Sequence, residues 1–293
     1  MSRSLLIGLE GSAGTDRAIT FALEIASGAG AGTGAGAGPD AGATLVGLAI
    51  IDVPDITAGS AMGIGGASYK RERDQILIAD ARQQARDLEQ SFLDRCARMA
   101  VPARVLEATG KPAETILAEM QHHDLVLLGR DGNFRFETET VEGRDGHTLD
   151  VVLHRASRPV IVVPENELPT GRAALLAYDG SLAADRALRA FTASGLAQGR
   201  ALHVVTINAS GAVAWEVASE AVETLKNLGY PAELHNVVST LSMAEALVAT
   251  AASVSAGLVV MGAFAHSRMR HLFRGSMTQQ LVESTTIPLF LTH

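Results

Sequence analysis

Short apolar runs alternate along the chain with longer segments in which apolar positions recur every three or four residues. The runs predict buried strands, and the longer segments predict amphipathic helices. In the first half, strands are expected at Leu5–Leu9, Thr44–Ile50, Ala103–Glu107, Leu125–Leu128 and Val160–Val163. Helices are expected there at Asp16–Ala26, Tyr69–Met99, Ala113–His122 and Thr148–Ala156.

The second half repeats this alternation. Its strands are expected at Ala174–Tyr178, Leu202–Ile207, Glu233–Val238, Leu258–Met261 and Leu289–Leu291. Its helices are expected at Ala183–Leu196, Val213–Leu228, Met243–Ser253 and Met277–Ser284. Alternating strands and helices favour an α/β fold, in which a parallel sheet is flanked by helices on both faces. In such doubly wound sheets, ligands bind beyond the carboxyl ends of the strands, where the strand order reverses.

The two halves also match each other in sequence. "LLIGLEGSAGTDRAITFALEIA" begins at Leu5, and "LLAYDGSLAADRALRAFTASGLA" begins at Leu175. Gly11-Ser12 and Gly180-Ser181 correspond at a spacing of 169 positions. The duplication predicts two tandem domains, residues 1–164 and 173–293. The segment "PENELPTGR" between them, from Pro164 to Arg172, is expected to be a short exposed linker.

Two Gly-rich insertions lengthen the first half. Ser27–Ala43 is a Gly/Ala stretch that buries too little surface to offset its ordering entropy, so a flexible loop is expected. Val53–Ser68 follows a strand end, where it could cover a site, but a plain connecting loop is the favoured interpretation.

Composition narrows the class of function. The chain of 293 residues has a net charge of −8, so we expect no bulk attraction to nucleic acid or to anionic membranes. Cys96 is the only cysteine, so an intramolecular disulfide is excluded, in keeping with a reducing compartment. The apolar run at the N-terminus is too short for a signal peptide, and we expect a cytoplasmic protein.

The basic stretch "MGAFAHSRMRHLFRGSMTQQL" is the strongest candidate for chemistry. It follows a predicted strand and leads into a predicted helix, whose free N–H groups and dipole favour an anion. Gly275 allows close approach of a phosphate, and Ser276 offers a cap and a hydroxyl. Asp179 follows the first strand of the same half, where it either accepts hydrogen bonds from a base or ribose or caps the next turn.

These motifs resemble the universal stress protein family. The shared features are an acidic residue with Gly-Ser after the first strand, a Gly262-x2-Ala265-x9-Gly275-Ser276 loop after the fourth, and a Pro288 strand at the end. The resemblance implies tandem five-stranded parallel domains of strand order 3-2-1-4-5, an adenine nucleotide α-hydrolase-like fold. It also implies binding of ATP or another adenine nucleotide, possibly with Mg²⁺, and a dimer or an intramolecular pseudo-dimer.

Carried over by position, the resemblance assigns roles to six residues. Asp179, with Gly180 in the turn after it, corresponds to the adenosine-side contact. Gly262 and Ala265 correspond to the turn under ribose and phosphates, where the family has glycine in place of Ala265. Gly275 and Ser276 correspond to the phosphate contacts.

The first half departs further from the family pattern. Glu10 replaces the aspartate, and Gly129 and Gly132 are retained, but Gly146 comes four residues late and is followed by His147-Thr148. Gly143 is an alternative at near-family spacing. The acidic segment between these glycines would repel a triphosphate. We therefore expect the first half to be degenerate for nucleotide binding.

No motif predicts a catalytic residue or a metal site. His122-His123-Asp124 is interpreted as a solvated helix end, because adjacent helical residues face different directions. Three functions remain open: a stress-response regulator that binds a nucleotide, an interaction scaffold without nucleotide, and a slow ATPase or phosphotransfer enzyme.

Overall fold

Two five-stranded units make up the fold. The structure is a computed structural model that describes residues 3–28, 42–58, 67–130, 132, 134, 147–207, 211–239, 241–263 and 277–292. In the first unit the strands are β1 (Arg3–Leu9), β2 (Ala43–Ile51), β3 (Ala103–Thr109), β4 (Leu125–Gly129) and β5 (Val160–Val163). The helices are α1 (Ala13–Ala26), α2 (Val53–Thr57), α3 (Ala67–Arg98), α4 (Pro112–Glu119) and α5 (His147–Arg155), with a 3-10 turn at Met120–His122.

The second unit has the same order of elements, although no counterpart of α2 is found among its described residues. Its strands are β6 (Ala173–Ala177), β7 (Leu202–Ile207), β8 (Ala232–Val237), β9 (Ala256–Gly262) and β10 (Leu289–Thr292). Its helices are α6 (Leu182–Ala193), α7 (Gly211–Asn227), α8 (Met243–Ser253) and α9 (Met277–Ser284).

All ten strands belong to one sheet, in the order β3-β2-β1-β4-β5-β10-β9-β6-β7-β8. Each unit on its own has the order 3-2-1-4-5, and the pairs within each unit are parallel. The predicted fold class is therefore confirmed. In this order the crossovers diverge between the first and fourth strands, so each unit has its crevice there, between β1 and β4 and between β6 and β9.

The units meet through their last strands, a pairing that the sequence does not predict. β5 and β10 run antiparallel, with Phe290 opposite Ile161 at the centre of the short ladder. Phe290 is fully buried and makes an edge-to-face contact with Phe191, with ring centroids 5.7 Å apart. Arg130 adds a hydrogen bond across the seam, from its Nη1 to the carbonyl of Thr285 at 3.2 Å.

Alternate residues of the strands enter two apolar cores, one on each face of the sheet. Each core draws on both units. One contains Leu5, Phe92, Ile161, Leu176 and Phe290. The other contains Leu6, Ile116, Val162, Leu175 and Leu289. Shared cores and a continuous sheet join the two units into one body.

The structure corrects the predictions for one Gly-rich insertion and for the linker, and it does not describe most of the other insertion. Part of the predicted loop Val53–Ser68 is helical, because Asp52 accepts a hydrogen bond from the Asp55 amide at 3.0 Å and caps α2. The linker is not wholly exposed, since Leu168 packs against the core. The Gly/Ala insertion lies, apart from its ends, outside the described residues.

Candidate functional site

A cleft opens at the crevice of the second unit. It lies at the carboxyl ends of β6, β7 and β9 and has a volume of about 480 Å³, including the open solvent at its mouth. Its lining consists of Ala177, Tyr178, Asp179, Ser181, Ala184, Val205, Ile207, Met243, Leu247, Met261 and Gly262. Mostly apolar walls with a few polar groups are usual in small-molecule sites.

The polar edge of the cleft is the turn between β6 and α6. Gly180 has a positive φ of 76°, a conformation that glycine adopts without strain. The Asp179 carboxylate accepts a hydrogen bond from the Ser181 amide at 2.9 Å, and the Ser181 hydroxyl accepts one from the Ala184 amide at 3.1 Å. Asp179 thus holds the turn, as the capping interpretation predicts, and also lines the cleft, whereas its hydrogen bonds with a base or ribose stay a prediction. It is exposed, which leaves its carboxylate accessible to a ligand.

Gly262 has a structural reason of its own to be glycine. It is the last residue of β9, and a Cβ atom there would lie 2.5 Å from the carbonyl carbon of Ala183 and 2.7 Å from its Cβ. In the first unit, a Cβ atom at Gly129 would likewise come too close to the backbone of Gly14 and Thr15. In both units this glycine lets the first turn of a helix approach the sheet. The sequence motif assigned Gly262 to ligand binding only and did not predict its contact with Ala183.

The phosphate side of the predicted site falls largely outside the described residues. Ala265, Gly275 and Ser276 are not among them, so their predicted roles stay predictions. Helix α9 begins at Met277, directly after Ser276. This start agrees with the predicted helix. The N–H groups of the first turn of α9 therefore come directly after Gly275 and Ser276, the predicted phosphate contacts.

The equivalent place in the first unit is filled by the chain itself. The Glu10 carboxylate is buried and accepts hydrogen bonds from the hydroxyls of Ser12 at 2.9 Å and Thr15 at 3.1 Å. Its other oxygen accepts a bond from the amide of Phe134 at 3.4 Å. Gly132 lies so close to this carboxylate that a Cβ atom would collide with it.

The Phe134 side chain is also buried at this place in the first unit. Its ring is 3% exposed and lies against Gly8 of β1, where a Cβ atom would come 2.6 Å from the ring. Gly146 and Gly143, the predicted late glycines of this loop, are outside the described residues. The side chains that are described at this place contact each other, and the Glu10 carboxylate is taken up by these contacts.

Charge around the second-unit cleft is acidic. Burial raises the pKa of the Tyr178 hydroxyl, and the neighbouring carboxylates Asp185, Glu220 and Asp179 raise it further. A polyphosphate therefore needs positive charge from elsewhere. The sequence supplies Arg268, Arg270 and Arg274 in the loop before α9, although that loop is outside the described residues.

A second cleft lies at the opposite edge of the sheet, beside the linker. Glu24, Arg172 and Arg200 line it together with linker residues and Gly257 at the start of β9. Burial raises the pKa of Glu24, and the two arginines oppose this rise. Because it lies at the amino ends of the strands, it is not the crevice in which doubly wound sheets bind ligands.

Two histidine clusters differ from the sequence interpretation. His123 is not solvated: it is 2% exposed, and its Nδ1 lies 2.7 Å from the Ser4 hydroxyl. A second cluster, of His203, Glu233 and His235, was missed. His203 lies 30 and 32 residues before Glu233 and His235 in sequence and meets them only through the register of β7 and β8, so no local motif reveals the cluster.

None of the described helices is both long and apolar enough to span a membrane.

Comparisons with known proteins find a family match in the second half of the chain. The universal stress protein family profile matches residues 172–293. Universal stress protein Slr1230 from Synechocystis sp. is 29% identical over 168 residues, which cover 57% of this chain and 56% of that protein. The match therefore spans little more than half the length of this curated relative.

Solved structures agree on the fold. A universal stress protein from Archaeoglobus fulgidus is 18% identical, with 99% of this chain and 98% of that chain covered and a TM-score of 0.67. PA1789 from Pseudomonas aeruginosa, described as functionally unknown, is 13% identical, with 99% and 92% covered and a TM-score of 0.56. The family profile thus matches the second half of the chain, and the solved structures share its fold over both halves.

Proposed function

We propose that the chain binds one adenine nucleotide, ATP or AMP, in its second unit and acts in the stress response as a regulator rather than as a fast enzyme. The observation that carries this proposal is the contrast between the two crevices. The second has an open cleft with an accessible carboxylate, whereas Glu10 and Phe134 fill the equivalent place in the first.

The walls of the cleft suit a purine ring. Val205, Ile207, Met243, Leu247 and Met261 supply apolar surface on the sheet and on α8. Methionine is unbranched and polarizable, so it adapts its shape to an aromatic ring and makes favourable sulfur–aromatic contacts. These side chains would bury the base, as apolar walls do in most small-molecule sites.

Asp179 would give the site its polarity. A carboxylate accepts hydrogen bonds from the amino group of adenine or from ribose hydroxyls. One carboxylate oxygen accepts the hydrogen bond from the Ser181 amide, which orients the Asp179 side chain. Because the side chain is exposed, its other oxygen would be available to accept hydrogen bonds from a ligand in the cleft. Gly180 keeps the turn compact at this point.

We assign the phosphates to the loop before α9. The family-like spacing of Gly262, Ala265, Gly275 and Ser276 supports this, as does the start of α9 directly after Ser276. The arginines of the loop would offset the acidic surroundings of the cleft. A triphosphate bound here would carry Mg²⁺ by its own oxygens, in the manner usual for nucleotides.

A regulatory role is favoured over fast catalysis. The described residues that line the cleft include no histidine, cysteine or lysine, the groups most often used as a base or an activated nucleophile. We further propose a cytoplasmic location and an intramolecular pseudo-dimer. The antiparallel β5–β10 ladder, which joins two units of the same strand order, supports the pseudo-dimer.

One observation favours an interaction scaffold as a second candidate. Leu182, Val238, Leu241 and Met243 are large apolar residues with 47–78% exposure, at the starts of α6 and α8 and in the connection before α8. These positions follow the carboxyl ends of β6 and β8, on the same edge of the sheet as the cleft. A scaffold would expose them to a protein partner whether or not a nucleotide is present.

The test is to denature freshly purified protein and identify any released nucleotide by chromatography, alongside thermal unfolding with added ATP or AMP. The proposal predicts an adenine nucleotide, or a rise in Tm at millimolar ligand, that is lost in Asp179→Ala and kept in Glu10→Gln. No nucleotide and no shift with either ligand would contradict it and favour the scaffold. ATP turnover that persists when Gly275→Val has abolished binding would come from a contaminant.

A further inference from the structure

Three potential metal ligands converge on one face of the sheet, away from the cleft. His203 of β7 is the register partner of Glu233 in β8, and His235 lies two residues further along β8, on the same face. His203 Nδ1 lies 2.9 Å from His235 Nε2 and 3.5 Å from Glu233 Oε2. One donor atom from each residue lies within 4.8 Å of the other two.

This arrangement is not explained by the core or by the nucleotide site. The next residues on this face of β7, Val205 and Ile207, line the cleft, whereas His203 is nearer the amino end of the strand. The His203 side chain is 12% exposed and Glu233 is 77% exposed, so the cluster stands at the edge of the covered surface. A core at this position would use apolar residues in place of two imidazoles.

We infer that His203, Glu233 and His235 bind a borderline divalent transition-metal ion of the Zn²⁺ class. Two imidazoles and one carboxylate are a usual ligand set for such an ion, with a fourth position left for water or another ligand. The exposed Glu233 places that position toward solvent. The set contrasts with the all-oxygen ligands that Mg²⁺ and Ca²⁺ prefer.

The distances need only small adjustments. With metal–nitrogen bonds of about 2.0–2.1 Å in a tetrahedral site, two ligand nitrogens lie roughly 3.3 Å apart. The imidazole nitrogens at 2.9 Å would separate by a few tenths of an ångström, and Glu233, being exposed, can rotate its carboxylate into place. The two rings are tilted at 52° with centroids 5.1 Å apart, so they are not stacked face to face.

A bound ion would tie β8, the edge strand of the second unit, to its neighbour β7.

The test is a Zn²⁺ titration of EDTA-treated, nucleotide-free protein in competition with a chromogenic chelator. One ion per chain is expected, and Glu233→Gln and His235→Gln should each weaken binding by about tenfold or more, since even losses outside the ligand set cost 10–100-fold. Co²⁺ should give the visible absorption of a four-coordinate site, and His235→Gln should abolish it.

Control variants separate this site from other histidines. His122→Gln, on the exposed 3-10 turn, should leave Zn²⁺ binding unchanged. Since Glu233 is exposed, its variant should fold, and matching thermal unfolding without metal would verify this. The inference is overturned if the wild type binds no Zn²⁺, if Glu233→Gln and His235→Gln bind as tightly as the wild type, or if binding is instead lost in His266→Gln/His271→Gln.

Discussion

The buried carboxylate of Glu10 accepts a hydrogen bond of 3.1 Å from the hydroxyl of Thr15. The corresponding positions in the second unit are Asp179 and Ala184, so that half has a shorter carboxylate and lacks the threonine hydroxyl, although Ser181 is retained at the position of Ser12. In the first unit the acidic side chain turns inward and fills its own crevice. In the second it stays exposed at the mouth of a cleft. Two substitutions at duplicated positions thus distinguish a closed unit from an open one.

The two carboxylates should differ in what they contribute to stability and to binding. Glu10→Ala leaves two hydroxyls and the Phe134 amide without an acceptor, and should lower the free energy of unfolding by about 1–3 kcal/mol. Asp179→Ala should cost less than about 1 kcal/mol, because water replaces the lost partner of an exposed amide. Urea unfolding of both variants measures this difference, and equal losses would contradict the assignment of Glu10 to the structure.

Gly262 should be needed for packing before any ligand is bound. In Gly262→Ala the new methyl group meets the backbone and the Cβ of Ala183 at 2.5–2.7 Å, and such overpacking costs about 1–3 kcal/mol. Gly42→Ala is the matched control, since nothing lies within 4 Å of a Cβ there, and it should change stability by less than about 0.5 kcal/mol. A ligand-free Gly262→Ala protein as stable as the Gly42→Ala control would show that the close contact relaxes freely.

Stability should fall on mild acidification through His123. Burial lowers the pKa of this imidazole, with Arg104 and His122 acting in the same direction and Glu119 and Asp124 opposing them. Its Nε2 is buried without a hydrogen-bond partner, so a second proton would be left unsatisfied. Below the unfolded pKa of about 6.5 the unfolded chain binds a proton that the folded chain does not, and the free energy of unfolding declines as pH falls.

The measurement for His123 is urea unfolding at several pH values between about 7.5 and 5.5, a window chosen to span the unfolded pKa. His123→Gln should remove a slope of at most about 1.4 kcal/mol per pH unit, the value for one proton. Near-ultraviolet circular dichroism at the higher pH checks that the variant is folded. An undiminished slope in a folded variant would assign the pH dependence to other groups.

The sequence predicts those parts of the fold that local pattern and duplication determine. The five strands of each unit follow from apolar periodicity and from the match between Gly11-Ser12 and Gly180-Ser181, whereas their order was implied by the resemblance to the universal stress protein family. The antiparallel pairing of β5 with β10 could not be predicted, because nothing in the sequence of these two short apolar strands indicates that they pair with each other. The predicted helix from Ala183 to Leu196 ends earlier, at Ala193, where Gly195 adopts a φ of 72°.

The candidate site was only partly predictable for a similar reason. Asp179 and the start of α9 follow from motifs and caps. The inward turn of Glu10, the contact of Gly262 with Ala183 and the meeting of His203 with His235 all depend on tertiary distances. Ala265, Gly275 and Ser276 rest on sequence spacing alone, so experiment has to test them directly.

Isothermal titration of the nucleotide-free protein with ATP tests the central claim most directly, because the stoichiometry counts the competent units. One site per chain is predicted, with binding lost in Gly275→Val and kept in Glu10→Gln, and with unchanged circular dichroism for both variants. Two sites per chain, or one site that survives in a folded Gly275→Val variant, would contradict the assignment of the nucleotide to the second unit.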